Sequence, residues 1–167
     1  MAIVTKYAGA FSTSGGSTWV DGANIYANDG AYATTVGKRN SNYDIIGSNF
    51  GFTIPADSTI NSVTVEAEYK LSTAASAWTG TLQAQYNGTL RGTAVTTTSE
   101  PLTDTVWTKS TNNGAWTVDE LNNNLAQVLF RVRHTSKTAC TYSVDYLSMT
   151  VDYTPPIIPT NFLQFFM

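Results

Sequence analysis

The side chains that could carry acid–base chemistry are few and are not set out as a catalytic group. The one histidine, His134, ends a predicted strand, and neither a Gly-x-Ser-x-Gly nor a His-Glu-x-x-His motif accompanies it. Glu66 and Glu68 alternate with apolar residues and share the solvent side of a strand, whereas Asp119 and Glu120 belong to a helix-capping turn. Neither pair predicts the carboxylates roughly 5–9 Å apart that flank a bond in a glycosidase. We therefore predict a protein that is not an enzyme and has no cofactor.

One loop is rich in oxygen donors that a calcium ion could use. Its four candidates are Asp21, Asn24, Asn28 and Asp29. Carboxylate and amide oxygens are ligands that Ca²⁺ prefers. The same residue types also cap turns with their own side chains. We expect turn capping here, and keep a calcium site as the alternative.

Tryptophan rings are the candidates for binding sugars, because an exposed ring can stack on the apolar face of a sugar. The chain has four of them, Trp19, Trp78, Trp107 and Trp116. Trp78 falls in a predicted loop, Ser72–Thr79, and is the one most expected to be exposed and to stack on a glycan. The other interpretation, which we favour, is that the tryptophans cover the open ends of a β-sandwich core.

The last thirteen positions, 155–167, combine prolines with large apolar residues. Pro155, Pro156 and Pro159 exclude a helix or a central strand up to that point and predict an extended start. Each apolar side chain that follows would contribute roughly 1.5–3 kcal/mol if buried. We expect this arm to dock onto a partner or a symmetry mate rather than fold back, with these docking residues: Ile157, Ile158, Phe162, Leu163, Phe165, Phe166 and Met167.

Strand-like alternation dominates the rest of the chain. It is clearest where Phe50, Phe52 and Ile54 share one face, a turn follows Pro55, and alternation resumes from Val63. The apolar parity of the last strand switches near Tyr146, which predicts either a β-bulge there or burial of the strand on both faces. Eight strands are predicted: Ile3–Ala8, Tyr32–Val36, Tyr43–Ile54, Ser62–Leu71, Gly80–Tyr86, Thr103–Lys109, Leu125–His134 and Thr141–Tyr153.

These strands and the composition predict an all-β protein. Eight strands are typical of a single antiparallel, jelly-roll-like β-sandwich, here over residues 1–154, with residues 155–167 as an extended hydrophobic C-terminal arm. Only 13% of the 167 residues are charged, and Thr, Ser, Asn and Gly dominate the polar remainder, which is typical of a β-protein. The single cysteine, Cys140, excludes an intrachain disulfide and a cysteine-based zinc site.

Charge and hydropathy argue against two classes of partner. The net charge of −3 and the scarcity of basic clusters disfavour nucleic-acid binding. No run approaches the roughly 20 apolar residues of a membrane helix, which disfavours a membrane role. The N-terminus lacks a secretory signal pattern, so we expect synthesis in a cytoplasm.

Several segments resemble a β-sandwich module found in the virion proteins of bacteriophages, such as head decoration proteins, tail fibres and spikes. The resemblance runs from Trp19 to Tyr153 and rests on Trp19-x-x-x-Ala-Asn, Asn49-Phe-Gly-Phe-x-Ile-Pro and Val144-Asp-Tyr-x-x-Met-x-Val. Asp21-Gly22 departs from it, since the pattern has Asn-Pro at that loop.

The resemblance implies a structural virion protein, and the apolar arm favours a phage capsid decoration or cement protein. Its expected partners are the major capsid protein, other virion subunits and further copies of itself, a trimer being one such arrangement. The expected location is therefore the virion. The alternative is a carbohydrate-binding module of a tail fibre or spike that recognises host glycans. A third interpretation is a head–tail connector or tail component.

Overall fold

The chain folds as two antiparallel β-sheets packed face to face, as the sequence predicted. The computed structural model describes residues 1–15, 18–74, 77–111 and 116–157. The strands are β1 Ala2–Tyr7, β2 Ala10–Gly15, β3 Ala33–Gly37, β4 Ser41–Ser48, β5 Thr59–Leu71, β6 Trp78–Tyr86, β7 Thr89–Thr97, β8 Thr105–Thr111, β9 Ala126–His134 and β10 Cys140–Thr154. A 3₁₀ turn at Gly22–Ile25 and one short helix, α1 at Val118–Asn122, lie between them.

Each sheet has five strands. The front sheet has the order β2-β4-β9-β6-β7. The back sheet has the order β1-β10-β5-β8, and β3 also pairs with β10. Every strand pairing among the described residues is antiparallel, so each strand can turn one side to the core and the other to solvent.

The core lies between the sheets and follows directly from the alternation. On β5 the residues Val63, Val65, Ala67, Tyr69 and Leu71 are buried, while those between them are partly exposed. From the front sheet, β9 contributes every second residue to the same core. Burying one face of each strand in this way is the main favourable term in the folding of such a sandwich.

The predicted β-bulge near Tyr146 is confirmed. The register between β10 and β5 shifts between Val144 and Tyr146. Val144 therefore faces the core before the bulge, and Leu147 and Met149 face it afterwards. Tyr146 turns to the outer side of the back sheet, where its ring packs edge-on against Tyr7 with 5.4 Å between the centroids.

The prediction of a strand through Ile54 was wrong, because β4 ends at Ser48. Residues 49–54 lie outside any strand, with φ of 58° at Asn49 and 64° at Gly51, and bury Phe50, Phe52 and Ile54. Side-chain amides satisfy part of their backbone. Asn122 accepts a hydrogen bond from the Ile54 amide (2.9 Å) and donates one to the Ile54 carbonyl (2.8 Å). Asn124 accepts another from the Gly51 amide (3.1 Å). Alternating burial in this segment therefore does not require a neighbouring strand, because side chains satisfy backbone groups that a strand would otherwise bind.

Two strands were missed, β2 and β7, which brings the described total to ten rather than eight. Both are rich in Ser, Thr and Gly, so neither has a clear apolar period. The hairpin before β7 did carry a signal: Asn87 and Gly88 have φ of 46° and 78°, as the two central positions of a type I′ turn require. The segment predicted as a loop from Asn87 to Glu100 is therefore mostly strand.

The predicted capping box before α1 is confirmed, and the end of the chain is only partly described. Thr117 accepts a hydrogen bond from the Glu120 amide, and Glu120 accepts one from the Thr117 amide. β10 ends at Thr154, and Ile157 is 94% exposed. The other predicted docking residues, Ile158, Phe162, Leu163, Phe165, Phe166 and Met167, lie outside the described residues. Neither described helix has the length or apolarity to cross a bilayer.

Candidate functional site

The four calcium candidates lie in one loop, where most of their side chains make turn or cross-loop hydrogen bonds. Asn24 donates to the Tyr32 carbonyl (3.1 Å), and Asp29 accepts from the Ala31 amide (2.9 Å). Asn28 donates to a Glu68 carboxylate oxygen (3.4 Å). Asp21 precedes the 3₁₀ turn with φ of 55° and caps it with no side-chain bond. Within the described ranges, no three His, Cys, Asp or Glu side chains are grouped as metal ligands.

The alternative interpretation, in which Trp78 is exposed and stacks on a glycan, was wrong. Trp78 begins β6 and is 3% exposed, because its position in the strand points it into the core. Its ring lies 5.3 Å from that of Tyr142 and 6.0 Å from that of Tyr69, measured between centroids. A ring enclosed in this way has no face to offer a glycan. Trp19 and Trp116 are buried as well.

The side chains considered for acid–base chemistry are dispersed. His134 is fully buried, and its Nδ1 lies 2.7 Å from the Tyr142 hydroxyl. Glu66 accepts a hydrogen bond from the Tyr146 hydroxyl on the outer side of the back sheet. Glu120 pairs with Arg91 at α1. Their places in the core, on the back sheet and at the helix do not form one group.

The outer side of the front sheet brings hydrogen-bonding side chains into rows that cross all five strands. Cross-strand partners share a face, so the register defines each row. The first row runs across β2, β4, β9, β6 and β7 as Ser14, Asp44, Arg131, Thr81 and Thr96. Four inter-strand spacings of about 4.8 Å make it about 19 Å wide. This candidate site is called the front face below.

An ion pair fixes the middle of the first row. Arg131 donates two hydrogen bonds to Asp44, from Nε and one terminal nitrogen, both at 2.7 Å. Ser14 donates a third to the same carboxylate at 2.8 Å. The hydrogen bonds that Arg131 donates to Asp44 raise the pKa of Arg131, so the guanidinium stays charged. The Asp44 side chain is 5% exposed while that of Arg131 is 41% exposed, so the arginine faces solvent.

Glutamines line the neighbouring rows on the two central strands. Gln85 on β6 is opposite Gln127 on β9, and Gln83 is opposite Leu129. Gln83 donates to the Gly92 carbonyl (2.9 Å), and Gln127 accepts from the Gly88 amide (2.8 Å). These bonds to the β6–β7 hairpin and to β7 itself hold two of the three amides in fixed orientations.

Three side chains on this outer side are covered by their neighbours. Leu129, Gln83 and Gln85 are 2%, 6% and 6% exposed, although all three point away from the core. Arg131 and Thr81 beside them are partly exposed. A polar ligand lying across the strands would therefore first meet the guanidinium group of Arg131 and the hydroxyl group of Thr81.

The sequence shows the alternation of polar and apolar residues on the strands of this site. It does not show which strands pair to bring the polar residues together. Thr81, Gln83 and Gln85 alternate with apolar residues, as do Gln127 and Arg131. That pattern predicts two solvent-facing strands. Nothing in it shows that β6 and β9 are neighbours, or that Asp44 pairs with Arg131 across 87 positions of sequence.

Comparisons with known proteins find similar folds among solved β-sandwich structures. No family model and no curated protein sequence matches the chain. Its structure is similar to the xylan-binding module CBM15, at 12% identity and a TM-score of 0.50, over 93% of this chain and 99% of that one. It is also similar to part of an arabinose-bound α-L-arabinofuranosidase, MgGH51, at 8% identity and a TM-score of 0.58, over 89% of this chain and 24% of that one.

A third similar structure is a CBM4 module, at 12% identity, with a TM-score of 0.48 over 91% of this chain and 94% of that one. At these identities the likeness concerns the fold alone. The chain is thus an all-β, jelly-roll-type β-sandwich whose fold is similar to that of the CBM15 module.

Proposed function

We propose that this protein is a non-catalytic carbohydrate-binding module and that the front face holds an extended glycan. The observation that carries the proposal is the open row from Ser14 to Thr96, with its neighbouring glutamines. Sugars present many hydroxyl groups that both donate and accept hydrogen bonds. Amide and hydroxyl side chains can do both as well, which makes them suitable partners.

The chemistry of the front face favours hydrogen bonding over ring stacking. Among the residues that the structure describes, the outward positions of β4, β6 and β9 carry no aromatic side chain. Recognition would come from groups already fixed by the Arg131–Asp44 pair and by the Gln83 and Gln127 hydrogen bonds. Preorganised groups of this kind lose little side-chain entropy on binding.

The fold likeness supports the same conclusion. One similar structure is a xylan-binding module that matches over nearly its whole length. The similar arabinofuranosidase matches over only a quarter of its own length, so the likeness to that enzyme does not extend to a complete catalytic protein. The dispersed positions of His134, Glu66 and Glu120 also favour a binding role.

The proposal is tested by affinity electrophoresis through gels that contain soluble polysaccharides, xylan, β-glucan and galactan among them. We expect at least one of them to retard the protein. Gln85→Ala and Thr81→Ala should weaken that retardation, each by about threefold to tenfold, because each removes a ligand hydrogen bond.

Thr108→Ala is the matched control, since Thr108 is exposed on the outer side of the back sheet, opposite Glu66. It should leave the retardation unchanged. Retardation by none of the polysaccharides, or equal weakening by the Thr81 and Thr108 variants, would contradict the proposal.

A second candidate function, phage capsid decoration, is favoured by the exposed start of the C-terminal segment. Ile157 is 94% exposed, and the sequence after it carries the apolar residues expected to dock. In this proposal the partner is the capsid shell and the location is the virion. Deleting residues 155–167 should abolish binding to purified capsids. Full binding by the truncated protein would refute the docking role.

A further inference from the structure

Two turns lie side by side at one end of the front face. The first joins β3 to β4, and the second joins β9 to β10. At one end of both turns Ser41 pairs with His134 in the front sheet, and at the other end Gly37 pairs with Cys140 in the back sheet. The two connections therefore cross between the sheets together.

Positive charge is concentrated around the Ser41–His134 pair. Residues 38–44 and 131–137, called the basic corner below, contain five of the nine lysines and arginines but one of the twelve acidic residues. That acid, Asp44, is bound to Arg131. The other four basic residues are exposed and have no ion pair within the described part of the chain: Lys38, Arg39, Arg133 and Lys137. In a protein of net charge −3, such a corner attracts an anion that the remaining surface repels.

Hydrogen bonds fix the backbone of both turns. The Lys38 amide donates to the Tyr43 hydroxyl at 2.6 Å. In the other turn, the Thr135 and Ser136 amides both donate to the Ala77 carbonyl, at 2.9 and 3.1 Å. The charges of the corner are therefore held together at this end of the sheet before any ligand arrives.

Glu100 lies at the same end of the sandwich but across β10 from the basic corner. The carbonyl of the next residue, Pro101, accepts a hydrogen bond from the Leu71 amide at the end of β5. β5 and β3 pair with opposite sides of β10, so they are about 10 Å apart. This acid therefore does not pair with the corner.

Arg133 brings the charge of the corner onto the front face itself. It lies two residues beyond Arg131 on β9, so both side chains point outward, about 7 Å apart along the strand. Its cross-strand neighbours are Asn42 on β4 and Thr79 on β6. These three residues form a second polar row beside the first. The charge of Arg131 is compensated by Asp44, whereas that of Arg133 is available to a ligand.

We propose that the front face binds an acidic polysaccharide, with a sugar carboxylate paired to the guanidinium of Arg133. This inference rests on the function proposed above and adds the class of glycan. The planar guanidinium can donate two parallel hydrogen bonds to the two oxygens of a carboxylate. A uronic acid carries such a group on a ring whose hydroxyl groups suit Asn42 and Thr79. A nucleic acid, with a phosphate on every unit, needs a longer basic track than one corner provides.

The test is isothermal titration calorimetry with polymers that differ in charge alone. Glucuronoxylan and polygalacturonate are each compared with their carboxyl-reduced forms, in which every uronic acid has become the neutral sugar. Dextran sulfate and a single-stranded DNA oligonucleotide serve as polyanions without carboxylates. The variants are Arg133→Gln, Thr81→Ala and Lys6→Gln, the last of which removes the same charge from β1 in the back sheet.

We expect at least one acidic polymer to bind about tenfold more tightly than its reduced form in about 20 mM NaCl, and the difference to shrink in about 500 mM NaCl. Arg133→Gln should weaken binding of the acidic polymer by about tenfold and leave binding of the reduced polymer unchanged. Lys6→Gln should leave both unchanged. Thr81→Ala should weaken both, because it acts through a hydroxyl group rather than a charge.

The inference is overturned if the reduced polymers bind as tightly as the acidic ones, or if Arg133→Gln weakens the acidic polymer no more than Lys6→Gln does. Equal binding of dextran sulfate or of the oligonucleotide also overturns it, since the corner would then attract any polyanion. In each of these cases an effect of Thr81→Ala on the reduced polymer would leave the proposed function standing. If no polysaccharide of either kind binds, the proposed function fails as well, so the two failures are distinguishable.

Discussion

Carboxylates have opposite surroundings on the two outward faces of the sandwich, with an arginine partner on the front sheet and neighbouring acids on the back sheet. On the front sheet, Asp44 is nearly buried but receives two hydrogen bonds from Arg131 and one from Ser14. On the back sheet, Glu68 and Asp145 lie near each other and near further acids. Burial and then the neighbouring negative charges raise the pKa of Glu68. Burial likewise raises the pKa of Asp145, against the hydrogen bonds from the Gly30 and Asp29 amides.

The difference shows where each face contributes to stability. A paired carboxylate fixes the geometry of the front face, and removing its partner leaves a charge with little access to water. The crowded carboxylate of Glu68 on the back face is a small cost that the fold tolerates, because this side chain is partly exposed and water screens it. We therefore expect the free energy of unfolding to fall when Asp44 loses its partner and to rise when Glu68 is made neutral.

The largest effect is expected from Arg131→Met on the front face. Asp44 would keep only the Ser14 hydroxyl, so we expect the free energy of unfolding to fall by about 2–3 kcal/mol. Urea unfolding at neutral pH measures this. Adding Asp44→Asn to the same protein should restore part of the loss, since no unpaired charge then remains. A loss below about 0.5 kcal/mol would mean that the pair behaves as an ordinary surface contact.

A smaller effect is expected from Tyr146→Phe on the back face. The variant removes the hydroxyl that donates to Glu66 at 2.5 Å and should cost about 1–1.5 kcal/mol. Burial and the Glu66 carboxylate raise the pKa of Tyr146, so the donor stays protonated and this contribution is lost only in strong alkali. Tyr7→Phe is the control, because Tyr7 is 42% exposed and contacts Tyr146 through its ring. Equal losses in both variants would contradict a role for the hydroxyl.

The smallest effect, with the opposite sign, is expected from Glu68→Gln. Because the folded-state pKa of Glu68 is raised, the folded protein binds this proton more tightly than the unfolded chain. The stability gained in this way is complete below the usual carboxyl pKa and is lost as the pH rises through the raised value. Glutamine should therefore stabilise the protein at pH 7, by about 0.5 kcal/mol or less.

Thermal unfolding checks this effect at pH 7 and again at about pH 3, where Glu68 is protonated and the difference should vanish. Glutamine can still accept the hydrogen bond from Asn28, so no contact is lost. Glu100→Gln is the control away from the group. Destabilisation by Glu68→Gln at pH 7 would show that the carboxylate is paired rather than crowded.

The sequence predicted the structure correctly where residues that alternate with period two also lie buried on one face of a strand. The alternation from Val63 to Leu71 and the parity switch at Tyr146 both predicted the observed structure. The same reasoning failed for residues 49–54, because alternating burial does not require a neighbouring strand. It also failed for β2 and β7, whose hydroxyl-rich sequences sit at sheet edges and need little apolar surface.

The candidate functional site depends instead on contacts between residues that lie far apart in the sequence. The sequence showed outward glutamines on two strands, yet their meeting on the front face depends on the β6–β9 pairing. It showed four tryptophans, but the exposure expected for Trp78 reversed once β6 was seen to begin at that residue.

The sequence by itself therefore determined the class of fold, since period-two burial and turn chemistry act between near neighbours along the chain. It also determined the bulge in β10 and the cap of α1 for the same reason. Only the tertiary structure decided the strand order, the Asp44–Arg131 pair, the burial of Trp78 and the candidate site on the front face. Each of these depends on contacts between distant segments, which the packing of the whole chain selects and no local residue pattern records.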